Sequence, residues 1–258
     1  MLRRFALLLE YDGTAYAGSQ LQNDQPTIQG CLETALERIA SRPVRADFAG
    51  RTDSGVHATG QVAAFSSDRP LDAGSWQRAL NGNLPDDIAV QAATEAPADF
   101  DPRRHAIRRH YRYRILNRET RSALERHRAW HVPGRLNLEA MQSGTALFLG
   151  RHDFAAFCGS LEEGRTTVRT IFAAGVARMG DSVVFDVAGD AFLPQMVRRL
   201  TSALVRLGED KMQLDELKAT LDEARHGESR FVAPPHGLCL VRLEYENLDF
   251  GKDHDEDF

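Results

Sequence analysis

Ala49-Gly50-Arg51-Thr52-Asp53-Ser54-Gly55-Val56-His57-Ala58 is the stretch on which the reading of this chain turns. It sets one carboxylate, Asp53, two residues after an arginine and between two glycines. Glycines at 50 and 55 permit tight backbone turns that other residues resist. If the segment is extended, Arg51 and Asp53 share a side, because side chains alternate along a strand. A neighbouring guanidinium favours the charged carboxylate, which would hold Asp53 as a ready anion. The plain alternative is turn chemistry, since Asp bonds its own backbone two residues on. A surface Arg–Asp pair is worth only about 0–1 kcal/mol.

Outward from this stretch, residues 44–48 and 61–66 read as strands flanking the turn. Residues 5–10 read as a buried strand ending at Asp12-Gly13. Residues 26–40 read as a helix with Ile28, Leu32, Ala35, Leu36 and Ile39 on one face and Pro26 in its first turn. Residues 72–80 form a short helix with Asp72 as N-cap, followed by a strand at 88–94. The second half has strands at 110–116, 168–178, 182–187 and 238–245. Its helices fall at 137–149, 192–207 and 214–225. Strands and helices interleave in two halves, which favours an α+β or mixed α/β fold built from two β-α-β-type subdomains. The expected division is 1–105, carrying Asp53, then 106–248, with an acidic tail at 249–258 expected to be disordered.

The chain of 258 residues is 42% hydrophobic and 27% charged, which is ordinary for a globular protein with a sizeable core. Cys31, Cys158 and Cys239 are odd in number and far apart, so neither a disulfide framework nor a zinc site is expected. A reduced, cytoplasmic setting fits. Arg3-Arg4 before Phe5-Ala6-Leu7-Leu8-Leu9 mimics a signal peptide, but Glu10 and Asp12 end the apolar run too early. No segment approaches the roughly 20 apolar residues of a membrane span. There is no Gly-x-Gly-x-x-Gly, no Walker loop and no His-Glu-x-x-His. No metal and no cofactor is therefore expected, and His57 reads as a polar loop histidine.

The net charge of −5 seems wrong for a nucleic-acid binder, but its distribution matters more. The tail holds five acids and one lysine, leaving the body close to neutral. Within that body, residues 103–121 carry eight arginines (103, 104, 108, 109, 112, 114, 118 and 121) against one acid, Glu119. Such a stripe is the expected footprint of phosphate contacts; its plain reading is a solvated arginine-rich strand.

Several further blocks fall in order along the chain. They are Glu10-Tyr11-Asp12-Gly13-Thr14, Thr27-Ile28-Gln29-Gly30, Leu80-Asn81 with Leu84-Pro85, and Phe100-Asp101 with Arg103. Tyr111-Arg112-Tyr113, Asp153-Phe154, Ala191-Phe192-Leu193 with Met196-Val197-Arg198, and Pro235-His236-Gly237-Leu238 follow. Together with the stretch at 49–58, close to the pattern Gly-Arg-Thr-Asp-Ala-Gly-Val-His-Ala, the chain resembles the TruA family of tRNA pseudouridine synthases from about Phe5 to Tyr245. The resemblance implies a pseudouridine synthase fold, two similar subdomains sharing a mixed, largely antiparallel central sheet with helices packed on it.

The resemblance also implies an isomerase that detaches uracil from ribose and reattaches it through C5, at uridines 38, 39 and 40 of the tRNA anticodon arm. Asp53 would be the catalytic carboxylate and Arg51 would help displace the base and interact with Asp53. Tyr111 would stack on the flipped uracil, and Arg198 would pair with Asp53. Arg103, Arg104, Arg108, Arg109 and Arg112 would hold the RNA backbone beside Tyr111. The expected partners are the tRNA anticodon stem-loop and a second copy of the chain, as a homodimer. Extruding the uridine costs a few kcal/mol, and an aromatic face recovers about 1–3 kcal/mol by stacking.

The chain departs from the family pattern at two places. Gly18-Ser19-Gln20-Leu21-Gln22 stands where the family has Gly-Trp-Gln-x-Gln, and Pro194-Gln195 where basic or aromatic residues are usual. Three alternatives remain. A non-catalytic tRNA-binding protein on the same scaffold would keep the arginines without needing Asp53. An aspartic protease would need a second Asp-Ser-Gly or Asp-Thr-Gly, and the chain has one. A nuclease would need clustered acids for metal, and Asp53 has only Asp47 nearby in sequence.

Overall fold

The computed structural model describes residues 1–160 and 164–250. They divide into two compact units, Met1–Ile107 with the returning segment from Leu240 on, and Arg108–Cys239.

The first unit begins with β1 (Arg3–Tyr11), whose run Phe5 to Leu9 is buried on both faces. Helix α1 (Ile28–Ala40) follows, then β2 (Ala46–Phe48), β3 (His57–Ser67), α2 (Ala73–Asn81) and β4 (Ile88–Ala96). β1 pairs antiparallel with β3 on one side and β4 on the other, and β2 adds to β3. The register Phe5↔Phe65 sets two aromatic rings together. They stack at 5.5 Å, and Trp76 of α2 meets Phe65 edge-on at 4.9 Å. Such pairs contribute about 0.5–1.5 kcal/mol beyond their burial. The other face carries Ala6, Leu8, Val62, Ala64, Ala92 and Ala96 with Phe100. Small side chains there leave room for a covering segment.

Two helix starts are instructive. Asp72 caps α2 as expected, its carboxylate accepting the Ser75 N–H at 2.7 Å. α1 begins two residues later than expected, with Thr27 as N-cap accepting the Gly30 N–H at 3.1 Å. A threonine cap satisfies a donor that a helix end otherwise leaves open. Pro26 therefore lies outside the helix.

The second unit runs through β5 (Ala106–Leu116), the short β6 (Trp130–His131), α3 (Leu138–Leu147) and β7 (Gly150–Asp153). It continues with β8 (Val168–Met179), β9 (Ser182–Gly189), α4 (Met196–Gly208) and α5 (Leu214–Glu223). β5, β9, β8 and β7 lie in that order, antiparallel throughout, while β6 runs parallel to β5. α3 packs on β8 and against α4. Phe148, Phe154, Phe157, Phe185 and Leu200 are fully buried.

The chain then returns to the first unit as β10 (Leu238–Tyr245), next to β3 in the strand order. The Tyr245 ring meets Phe100 at 5.3 Å and its hydroxyl donates to the Pro102 carbonyl at 2.7 Å. Leu243, Tyr245, Leu248 and Phe250 cover the alanine-rich face. The first unit runs to Ile107, and the chain from Leu240 on clusters with it, whereas the sequence reading divides the chain at 105 and runs its second subdomain to 248. Residues 240–250 cluster with the first unit because their apolar side chains close a face left open there. Phe250, placed in the expected acidic tail, is part of that cover; residues 251–258 of the tail lie outside the described residues. The fold is α+β, a mixed, largely antiparallel sheet with helices packed on it.

Candidate active site

Residues 49–56 form the turn between β2 and β3, and the sequence explains its course. Ala49 still pairs with the strand, its N–H on the Val62 carbonyl at 2.9 Å. Burial then alternates: Arg51 exposed, Thr52 buried, Asp53 half-buried. The chain reverses at Gly55, with a φ of 77°, and the Val56 N–H reaches back to the Asp53 carbonyl at 3.1 Å. Of the two flanking glycines only Gly55 takes the left-handed conformation, so Gly50 is not required for the turn.

Thr52 is the anchor. Its hydroxyl lies 2.9 Å from the Tyr11 hydroxyl, and Gln61 Nε2 donates to that same Tyr11 oxygen at 3.3 Å and to the Gly50 carbonyl at 2.9 Å. Ser19 is fully buried and binds both sides of the Thr52 peptide: its Oγ accepts the Thr52 N–H at 2.8 Å, and its N–H donates to the Thr52 carbonyl at 3.1 Å. Gly18 beside it has a φ of 117°, and a Cβ there would meet the Thr52 carbonyl oxygen at 2.8 Å. Buried neutral polar groups that are all bonded hold a unique geometry without the cost of buried charge.

His57 opens β3. Its Nδ1 accepts the Gly13 N–H at 3.1 Å and lies 3.2 Å from Asp12 Oδ1. These roles exclude each other, because a nitrogen accepting the Gly13 proton carries none to share with Asp12. His57 is thus an anchor for the turn.

Arg51 is exposed and makes no hydrogen bond or ion pair among the described residues, so the expected contact with Asp53 is not formed.

In the second unit, Tyr111 sits on β5 opposite Val187, 8% exposed, with Phe192 edge-on at 5.0 Å. The helix expected from residue 192 begins only at Met196, after Gln195 in a left-handed conformation. Pro194 lacks an N–H and resists helix interiors, so residues 192–195 form a loop. The Pro194 carbonyl accepts the Gly159 N–H at 2.8 Å. Arg198 therefore lies in the first turn of α4, half-buried. Its Nε donates to the Ala233 carbonyl at 2.8 Å, and its own carbonyl accepts the Ala233 N–H at 3.2 Å. Arg199 next to it binds the Ser229 carbonyl and Gln195 Oε1, and burial pushes its pKa down.

The arginine stripe is divided by strand parity. Arg108, Arg112 and Arg114 occupy one face of β5, and Tyr111, with Arg109, the other. On β5 Arg109 shares the face of Tyr111, and its guanidinium donates to the Asp190 carbonyl at 2.5 Å. Arg112 forms a two-pronged ion pair with Asp186 at 2.7 and 3.1 Å. Arg108 lies 4.8 Å over the Phe172 ring, and Arg104 lies 3.6 Å from Asp101. Arg103 is exposed, its backbone N–H on Asp101 Oδ1 at 2.9 Å.

Among the described residues no helix is long and apolar enough to cross a membrane. The family model described as tRNA pseudouridine synthase matches residues 8–103 and 145–246. The chain is 45% identical to a tRNA pseudouridine synthase A from Geotalea daltonii, over 95% of this chain and 100% of that one. A tRNA pseudouridine synthase A from Myxococcus xanthus is 44% identical over 95% of this chain and 92% of its own. The same-named protein of Geotalea uraniireducens is 43% identical over 95% and 100%. With most of its length matched by one family model and nearly all of it by these relatives, the chain belongs to the tRNA pseudouridine synthase family.

Proposed function

We propose that this protein isomerises uridine to pseudouridine in tRNA, at positions 38, 39 and 40 of the anticodon arm, with Asp53 as the catalytic carboxylate. The N1–C1′ bond breaks, the freed uracil turns, and a C5–C1′ bond forms. The C5 hydrogen leaves as a proton and N1 regains one, so no oxidant or reductant is consumed. A uridine within a stem must first be extruded. In this reading Arg51, exposed and uncommitted among the described residues, helps displace the base. Tyr111 stacks on the flipped uracil, and Arg198 pairs with Asp53. The enzyme works without metal or cofactor, in the cytoplasm, as a homodimer.

The observation that carries the reading is the mounting of Asp53. A half-buried carboxylate stands on a turn whose flanking residues, Thr52 and Val56, are locked into the core. Preorganised groups of this kind need no rearrangement as the reaction proceeds. Carbodiimide mapping of tRNA transcripts incubated with the protein tests it. New pseudouridine stops at positions 38 to 40, retained in the presence of a chelator, are expected. Tight tRNA binding with no stop anywhere would favour a non-catalytic tRNA-binding protein instead.

A further inference from the structure

The turn that carries Asp53 is fastened by a neighbouring strap, residues 16–19. Four bonds join them or seat them together. Ser19 accepts the Thr52 N–H at 2.8 Å and donates its own N–H to the Thr52 carbonyl at 3.1 Å. On the far side of Asp53, the Ser54 hydroxyl donates to the Tyr16 carbonyl at 2.9 Å. Tyr16 is itself fixed, 7% exposed, with its hydroxyl on Asp87 Oδ1 at 2.5 Å.

The strap also has a rigid support. The first N–H groups of an α-helix lack partners within the helix. Here the Ile28 N–H donates to the Gly18 carbonyl at 3.3 Å and the Gln29 N–H to the Ser19 carbonyl at 2.9 Å. The end of α1 thus holds the strap, and the strap holds the residues on either side of Asp53. Gly18 completes the fit, since its backbone conformation and its approach to Thr52 leave no space for a side chain.

We propose that Ser19 and Ser54 are positioning residues for Asp53, acting together through the strap to hold its carboxylate in reacting geometry. This rests on the reading of Asp53 as the catalytic group. Neither serine is itself called on to touch the nucleoside. The Ser19 hydroxyl holds the Thr52 N–H, and the Ser54 hydroxyl ties the residue after Asp53 to the Tyr16 carbonyl, so both neighbours of Asp53 are fixed where a small displacement is costly to catalysis. Ser54 lies at the surface while its hydroxyl bond faces inward, so its loss opens no core cavity.

The test compares Ser19→Ala, Ser54→Ala, the double variant and Ser54→Thr, each as the full chain, in two measurements. Backbone amide exchange of Thr52 is followed without tRNA. Turnover of tRNA carrying uridine tritiated at C5 gives kcat and KM. The loss of one hydrogen bond is expected to lower kcat about threefold to tenfold in each alanine variant. KM should stay within about twofold of wild type, and Ser54→Thr, which keeps the hydroxyl, should recover the rate. Thr52 amide exchange should quicken about tenfold in Ser19→Ala. A double variant whose loss is smaller than the product of the single losses is the mark of one shared strap. Unchanged kcat in a folded Ser54→Ala protein overturns the proposal, as does a change in KM alone. If wild type releases no tritium, the uridine chemistry is what fails. The exchange measurement then still decides the strap: quickened exchange supports it and unchanged exchange ends it.

Discussion

The Asp53 turn and the arginine-rich strand β5 both stand out in the sequence by their charge, yet the fold treats them in opposite ways. Around Asp53 the holding is done by neutral groups, the hydroxyls of Tyr11, Thr52, Ser19 and Ser54 and the amide of Gln61. Arg51, two residues before Asp53 in the sequence, is exposed and makes no hydrogen bond or ion pair among the described residues. On β5 and just beyond it, charge is matched by charge within the same unit: Arg112 with Asp186, Arg114 with Glu125, Arg118 with Asp181. A dense run of arginines therefore reports partly on internal pairing, while the turn that carries Asp53 is held by uncharged groups. The availability of a charge is decided by what lies across the sheet, which composition does not contain.

This contrast can be broken or sharpened by substitution. The largest effect is expected at Gly18→Ala, where an added Cβ must displace the Thr52 carbonyl and adopt a disfavoured φ. A fall in kcat of about a hundredfold, with tRNA affinity kept, would mark the turn as preorganised; wild-type kcat would show that the turn tolerates movement. Next comes Tyr111→Ala, expected to lower kcat/KM by about 10- to 100-fold through lost stacking. Tyr111→Phe, which keeps the ring, should retain most of the rate.

Smaller effects belong to β5. Arg112→Ala should act on stability, because it leaves the mostly buried Asp186 carboxylate without its partner. A cost of about 1–3 kcal/mol in denaturant unfolding is expected, with the salt dependence of tRNA binding unchanged. A reduced salt slope with full stability would return Arg112 to the RNA interface. The smallest effect is expected for Arg103→Ala. Binding should weaken by a few-fold at physiological salt and the salt slope should fall by about one, with no change in stability.

Much of the fold was legible because it is local. Asp72 as a cap, the apolar stripe from Ile28 to Leu36, and the last strand at 238–245 follow from residues close in sequence. The start of α4 was misread because the apolar stripe continues through Leu193, while Pro194 and the left-handed Gln195 break the helix before Met196. The return of β10 to the first unit was not legible, since it depends on an alanine-rich face more than 140 residues upstream in the chain. The reversal after Asp53 was legible from Gly55, whereas the role expected of Asp53 came from the family resemblance. Ser19 was noticed only as a departure from a family pattern, because its bonds to Thr52 span 33 residues. The two faces of β5 were readable from alternation, but the identity of Asp186 as the partner of Arg112 was not.

The most direct test of the account is tritium release from tRNA labelled at uridine C5, under single turnover, by wild type and Asp53→Asn at saturating protein. Asparagine keeps the size of the side chain and removes its charge. The account predicts release by wild type and a loss of at least about a thousandfold in the variant, with tRNA binding preserved in both. Release by Asp53→Asn at a rate near that of wild type would contradict the assignment of the chemistry to this carboxylate.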